Sequence, residues 1–389
     1  MRSAALAAIA LIACSGNAPA DQPQGGPPSD GAYKAGAQAP VEGGLPFTVT
    51  PVADFTSPWA MTVLPDGRML VTEKAGEMIL LSADGKQRRT VATIPVDSAG
   101  QGALMDVVLA PDFATSKRVY FSYSAAGEGG KGVILARAVL DTAPGGERLR
   151  QIEAIFRATP FVEGDGHYSG RIAFSPDGKY LFFTNGERQK FTPAQDKGGT
   201  LGKVLRLTPD GKPAPGNPLV KAGFRPEVWS YGHRNLLGIA FDGAGNLWEQ
   251  EMGPKGGDEV NLIVAGRNYG WPNVSDGSHY DGRDIPDHKA GDGYEAPKVS
   301  WNPVISPGGL MIYSGSMFPQ WRGDAFIGGL SSMALVRVDI KGTNAAKGDQ
   351  WAMGQRIREV DQGPDGAIYL LEDGQRGASG RLLRLTPRG

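Results

Sequence analysis

Short runs of alternating apolar and polar residues recur along the chain, each opened by a turn. They read LPDGRMLVTEK from Leu64, APDFATSKRVYFSYS from Ala110, SPDGKYLFFTNGE from Ser175, FDGAGNLWEQE from Phe241, FPQWRGDAFIGGL from Phe318 and GPDGAIYLLED from Gly363. A strand turns successive side chains to opposite faces, so an Asp-Gly-type turn feeding a period-two run is the mark of an antiparallel hairpin. Recurrence at intervals of tens of residues, with uneven insertions, predicts sheets repeated about an axis, the arrangement by which a β-propeller protects its strand edges. The pattern therefore predicts an all-β chain of about six blades. No stretch keeps a helical period, so helices should be short and confined to loops. The longest irregular stretch, 273–304, carries His279, Tyr280 and Asp281 and is predicted to lie over a functional site, because insertions in repeat folds gather on the binding face.

The N-terminal end follows other rules. Met1-Arg2 precedes an apolar run ending at Cys14 that is too short to cross a bilayer as a helix and reads as an export signal. Leu11-Ile12-Ala13-Cys14 resembles a bacterial lipobox, and Cys14 is the only cysteine of the chain. We therefore expect residues 1–13 to be a lipoprotein-type signal peptide, with Cys14 the lipidated first residue of an exported, periplasmic, membrane-anchored protein. No disulfide within the mature chain is then available. Residues 14–44, rich in Gly and Pro and poor in large apolar side chains, are expected to be a disordered tether, and residues 45–389 the propeller domain.

Composition narrows the partners. With 40 Lys+Arg against 41 Asp+Glu, the net charge of −1 provides no field to recruit nucleic acid, nor an anionic membrane surface beyond the anchor. Small molecules are the expected partners.

One stretch carries more polar chemistry than a core strand needs, Pro226 to Trp271, with Gly232-His233-Arg234-Asn235 and the run Gly253-Pro254-Lys255-Gly256-Gly257-Asp258-Glu259. A fixed guanidinium, an amide and glycine-freed carbonyls near carboxylates suit an anionic ligand beside a hard cation, which prefers oxygen donors. Spacing alone leaves a polar propeller loop as the alternative. His167, among glycines shortly before an apolar run, is a candidate base, since imidazole takes protons near neutral pH. Arg356 and Arg358 alternate along a strand start and so point to one side.

The motifs YGHRN, GPKGGDEVN and NYGWP, together with HxxGR from His167, stand in the order and near the spacing of a known family. From about Pro58 to Leu385 the chain resembles the soluble pyrroloquinoline quinone (PQQ)-dependent glucose/sorbosone dehydrogenases, and among them bacterial aldose sugar dehydrogenases. The resemblance implies a six-bladed β-propeller of four-stranded antiparallel sheets that oxidises an aldose at C1 to an aldonolactone, with His167 as general base and hydride passing to C5 of PQQ. It implies quinone contacts at Gln101, Arg234, Asn235, Tyr280, Leu330, Ser331, Ser332, Arg356, Ile357 and Arg358. It also implies a calcium ion on the carbonyls of Gly253 and Pro254, a second, structural calcium at Glu259 and Tyr269, and an external electron acceptor. One departure stands out: where the family commonly has Leu-Lys, this chain reads Leu330-Ser331-Ser332, so a cation beside the quinone is replaced by hydroxyls. A calcium-dependent propeller lactonase and a non-catalytic, lipid-anchored binding propeller are the alternatives.

Overall fold

A computed structural model describes residues 44–374 and 379–389. The expected signal segment, Cys14 and all but the last residue of the expected tether lie outside the described residues. Within them the chain forms six four-stranded antiparallel sheets and one two-stranded ribbon, Lys255–Gly256 with Gly277–Ser278. The innermost strands are Pro58–Val63, Leu104–Leu109, Ser169–Phe174, Leu236–Phe241, Pro307–Ile312 and Ile357–Gln362. Each contacts the next around a closed ring. This is a six-bladed propeller, as the repeats predict.

Every predicted turn joins the inner strand of a blade to its second strand, and its residues explain why. In four blades the turn aspartate accepts a backbone N–H two residues on: Asp66 from Arg68, Asp177 from Lys179, Asp242 from Ala244 and Asp365 from Ala367. The glycine that follows takes a positive φ, as at Gly67 (85°) and Gly178 (70°), where a Cβ would be strained. In the second blade the turn holds the only α-helix among the described residues, Phe113–Ser116, and in the fifth a 3₁₀ turn, Pro319–Trp321.

The last blade closes the ring. Its inner three strands, Ile357–Gln362, Ile368–Glu372 and Gly380–Pro387, come from the C-terminal end, and its outer strand, Phe47–Phe55, comes from the other end of the domain. The pairing runs from Phe47 opposite Pro387 to Phe55 opposite Gly380. Phe47 is pinned edge-on to Trp351 of the fifth blade, with ring centroids 5.5 Å apart, so closure has an aromatic anchor as well as a hydrogen-bond ladder.

In all six blades the inner strand shifts register against its neighbour near its first residues, between Ser169 and Ile172 and between Leu236 and Gly238, for example. A bulge bends its strand and re-aims side chains. The six bulges therefore lie at one end of the barrel of inner strands, directly after His167, Arg234 and Arg356. Further along the axis the inner strands enclose a cavity of about 260 Å³ whose polar lining is Asp106, Arg171, Glu359 and Asp361. Arg171 bonds both Asp106 (3.1 Å) and Glu359 and lies 4.3 Å over the Trp59 ring.

Candidate active site

His167 sits at the tip of the loop entering the third blade. Its φ is +48°, and Ser169, Arg188, Gln189 and Phe191 also have positive φ. With Ser306 and Met333, seven of the nine non-glycine residues in that region lie at this end of the propeller. Such conformations cost about 1–3 kcal/mol each and persist only where surrounding contacts over-determine them. Here the contacts are visible. The buried Arg188 donates to the carbonyls of Gly164 (2.5 Å) and Gly166 on either side of the loop, and its guanidinium stacks 3.6 Å from the Tyr168 ring centroid. Gln101 Oε1 accepts the His167 N–H at 2.8 Å, which ties the loop to the first interblade connection.

The imidazole is held by a residue that sequence reasoning missed. Glu187 Oε1 lies 2.5 Å from His167 Nδ1, and Glu187 Oε2 accepts the N–H groups of Lys190 and Phe191, each at 2.5 Å. Burial opposes the Glu187 charge, but His167, Arg234 and the Phe191 N–H together hold its pKa below the usual carboxylate value. A charged acceptor at Nδ1 assigns the proton there and leaves Nε2 as the free lone pair. Burial, aided by the Arg234 charge and opposed by Glu187, lowers the His167 pKa to about 4. The imidazole is thus neutral at neutral pH and able to accept a proton.

Arg234 and Asn235 lead into the inner strand of the fourth blade. Arg234 Nη1 donates to the carbonyls of Gly253 (2.6 Å) and Met252 (2.9 Å), and Nη2 lies 3.3 Å from the Tyr280 hydroxyl. Its guanidinium lies 5.2 Å over the Trp271 ring, while Nε is buried without a partner. The Asn235 amide oxygen accepts from Ser169 Oγ at 3.3 Å. The Gly253–Pro254 segment is fixed by Asp258, whose carboxylate accepts the N–H groups of Gly253 (2.9 Å), Ile305 (2.8 Å) and Ser306 (2.7 Å). Burial pushes the Asp258 pKa up to about 7 against the pull of those three donors. A Cβ on Gly253 would stand 2.2 Å from the Gly257 carbonyl oxygen, so the turn accepts only glycine there.

Asp258 also reaches the segment with the missing lysine. Ser331 N and Ser332 N donate to the Ile305 carbonyl, and Leu330 N to that of Ser306, beside the two N–H groups that Asp258 holds. Leu330 is buried, Ser331 Oγ lies 3.4 Å from the Val304 carbonyl, and Ser332 Oγ is buried without a partner. On the neighbouring sixth blade, Arg356 and Arg358 do point to one side, as their alternation predicts. Both donate to Asp373: Arg356 at 2.8 and 2.7 Å, Arg358 at 3.3 and 3.1 Å. Ile357 between them is fully buried, which leaves its main chain as the part near the site.

Glu259 and Tyr269 belong to a separate buried cluster on the fourth blade. Glu249 and Glu251 lie two apart on the second strand, Leu247–Glu251, and Glu259 and Asn261 directly opposite on Asp258–Leu262. Period two puts all four side chains on one face. His233, Glu249 and Glu251 bring ligand atoms within 4.8 Å of one another. The Asn261 amide donates to Glu249 (3.2 Å), Glu251 (3.5 Å) and Glu259 (3.2 Å), while Glu249 Oε1 and Asn261 Oδ1 are buried without partners. Burial and the Glu251 charge push the pKa values of Glu249 and Glu259 well above the carboxylate range. Tyr269 takes part with its ring, stacked on His233 at 4.5 Å.

Comparison with known proteins fits this arrangement. A sequence model described as Glucose / Sorbosone dehydrogenase matches residues 55–384. The chain belongs to this family. As a sugar dehydrogenase it is an oxidoreductase, which sets aside the lactonase and the non-catalytic alternatives. It is 39% identical to aldose sugar dehydrogenase YliI of Escherichia coli K12 over 347 residues, 85% of this chain and 90% of that protein. The crystal structure of the soluble E. coli aldose sugar dehydrogenase in its apo form matches with a TM-score of 0.82 at 38% identity, covering 88% of this chain and 100% of that one. The PQQ-bound aldose sugar dehydrogenase of Streptomyces coelicolor matches with a TM-score of 0.73 at 31% identity, covering 88% and 98%.

In this dehydrogenase the carboxylates missed from sequence share an address. Glu187, Glu251 and Asp373 all fall at or within two residues of the end of a blade's second strand, Leu181–Asn185, Leu247–Glu251 and Ile368–Glu372. Each lies inside a repeat segment quoted above (TNGE, WEQE, LLED), so the acid that ends the period-two run was the available signal.

Proposed function

We propose that this dehydrogenase oxidises aldoses at C1 to aldonolactones with PQQ and Ca²⁺. The observation that carries the reading is the buried, neutral His167 held by Glu187 at 2.5 Å, within the same end of the propeller as Arg234 and the Arg356–Arg358 pair. The residues present suit both groups. Arg234 Nε is an orphaned donor in a buried position, and with Arg356 and Arg358 it offers forked donors to a ligand that carries several carboxylates. Gln101, Asn235, Tyr280 and the Leu330-Ser331-Ser332 and Ile357 main chain would complete that cradle. The carbonyls of Gly253 and Pro254 would hold the ion beside the quinone, and Glu259, backed by Glu249 and Glu251, the structural ion, with Tyr269 adjoining. A PQQ-bound relative of 31% identity is in accord with this assignment.

When bound, PQQ with its calcium supplies a two-electron hydride acceptor. The chain supplies the proton chemistry. His167 Nε2 takes the proton of the anomeric hydroxyl as C1 gives up its hydride, and the Glu187 carboxylate stabilises the imidazolium that results. Arg188 and Gln101 keep the imidazole at its angle. The sugar leaves as lactone, two electrons and one proton poorer by hydride loss and a second proton poorer through His167. The electrons pass to an external acceptor.

The test is reconstitution of the purified protein with PQQ and Ca²⁺, then addition of D-glucose while the quinone spectrum is recorded. Saturable binding with sugar-dependent bleaching of the oxidised quinone is expected; tight binding without reduction by any aldose refutes the reaction. We further propose export and anchoring through a lipid on Cys14. Cys14→Ser should then move the protein from the membrane fraction to the soluble fraction, and an unchanged distribution counts against the anchor. Among the described residues no helix is long and apolar enough to cross a membrane.

A further inference from the structure

We propose that Phe191 is the platform on which the apolar face of the sugar rests, and so a residue that sets sugar affinity; the inference rests on the aldose reading above. Its backbone is the first sign. Thr192 N donates to the Lys190 carbonyl at 2.8 Å, which closes a three-residue γ-turn centred on Phe191 with φ +63° and ψ −80°. This turn is strained for any L-residue and is a genuine outlier for a bulky one. Neither neighbour is a glycine that would ease it. What holds it is Glu187, through Oε2 on the N–H groups of Lys190 and Phe191.

The same carboxylate holds His167 through its other oxygen. The Phe191 backbone and the base are therefore fixed to each other through one side chain. The ring packs at the edge of a small buried cluster of Ala194, Trp271 and Ile285 and is not fully covered by it. One face stacks on Trp271 at 5.6 Å and 25°, His279 approaches at 5.8 Å, and the residue stays only half-buried. Trp271 in turn lies beneath the Arg234 guanidinium at 5.2 Å. Phe191 and Trp271 thus form a continuous aromatic wall from the side of the base to the side of Arg234. A pyranose presents a face of C–H groups that packs on an aromatic ring, and a ring whose backbone is tied to the base would set C1 at a constant offset from Nε2. A backbone that glycine adopts freely carries phenylalanine here, so the position serves the ring.

The test compares wild type, Phe191→Ala, Phe191→Leu and Phe191→Tyr, each reconstituted with PQQ and Ca²⁺. Dye-linked kinetics with D-glucose, PQQ affinity from absorption titration and melting temperature are measured side by side. Alanine and leucine should raise KM about tenfold with kcat within about threefold and PQQ affinity unchanged, while tyrosine returns KM to the wild-type value. An unchanged KM in Phe191→Ala overturns the platform. A loss of PQQ affinity that matches the rise in KM also overturns it, by assigning the ring to the cofactor. Should the wild type reduce no aldose, it is the aldose reading that falls. Calorimetric titration of D-glucose into wild type and Phe191→Ala then decides the platform: equal affinity overturns it, and weaker binding to the variant upholds it.

Discussion

Two buried acidic clusters lie one blade apart in this dehydrogenase, and the chain completes only one of them. Glu187 has both oxygens engaged, one by His167 and the other by two backbone N–H groups, and its pKa is lowered despite full burial. In the other cluster Glu251 accepts the N–H groups of Arg234 (2.5 Å) and Asn235 (3.3 Å) and faces His233, but Glu249 and Glu259 share the Asn261 amide as donor, Glu249 Oε1 is left unpartnered, and the pKa values of both are raised. A buried carboxylate is stable when its charge is hydrogen-bonded and costly when it is not. The first cluster is thus a finished device for proton transfer. The second has the donor chemistry of a hard-cation site, with raised pKa values that a bound cation would relieve.

The largest effect should come from breaking the finished cluster at the base. His167→Ala should cut dye-linked turnover by about a thousandfold or more while PQQ and calcium binding persist. Near-normal turnover would remove His167 from the mechanism. Glu187→Gln keeps the size of the side chain but offers an N–H where an N–H already points. We expect a loss of about a hundredfold in kcat, because the imidazole tautomer and the Phe191 turn are both disturbed. An equal loss in Glu187→Gln and Glu187→Ala would show that charge, rather than geometry, is what His167 needs.

The second cluster should respond to metal and not to sugar. Removal of calcium with a chelator should lower the melting temperature by several degrees, and re-addition should restore it, since an ion bound only to the native state stabilises by mass action. Glu249→Gln should weaken that response; a calcium effect of full size in the variant would place the ion elsewhere. The sign of the pH dependence follows from the raised pKa values. Without calcium, the stability contributed by protonated Glu249 and Glu259 is present below their unfolded value of 4.5 and is lost as pH rises through the folded ones. Chelated protein should therefore lose stability toward alkaline pH more steeply than the calcium form.

The smallest effect is a displaced titration. With the folded pKa of His167 lowered to about 4, the native state binds fewer protons than the unfolded state between there and 6.5, so its contribution to stability is present above 6.5 and falls as pH drops through that window. For the same reason the acid limb of kcat/KM should fall well below pH 6.5, toward 4. A midpoint at 6.5 would mean that Arg234 and burial do not act on the base.

How far each part could be read from sequence follows the range of the forces involved. The blades were legible because a turn and a period-two strand act over about ten residues in all six, and in four of them a turn aspartate and a glycine with positive φ mark the turn. His167 and Arg234 were legible through motifs that repeat a family's order, and Arg356 and Arg358 through their alternation at a strand start. The carboxylates that make them work were not. Glu187 is 20 residues from His167, Asp373 is 15 from Arg358, and Asp258 is 48 from Ser306. Hydrogen bonds at that separation depend on strand register within a blade, as with Ser169 opposite Asn185 and Ile357 opposite Glu372, and on how one blade packs on the next.

Sequence by itself therefore determined the strand pattern, the blade number and the residue types at the site, since each is written in local chemistry. Tertiary structure alone decided that strand Phe47–Phe55 closes the last blade, that one Glu187 carboxylate serves both His167 and Phe191, and that three glutamates meet around the Asn261 amide. The first depends on ring closure and the other two on register and side-chain packing within a blade, and a linear pattern with period two carries no information about them.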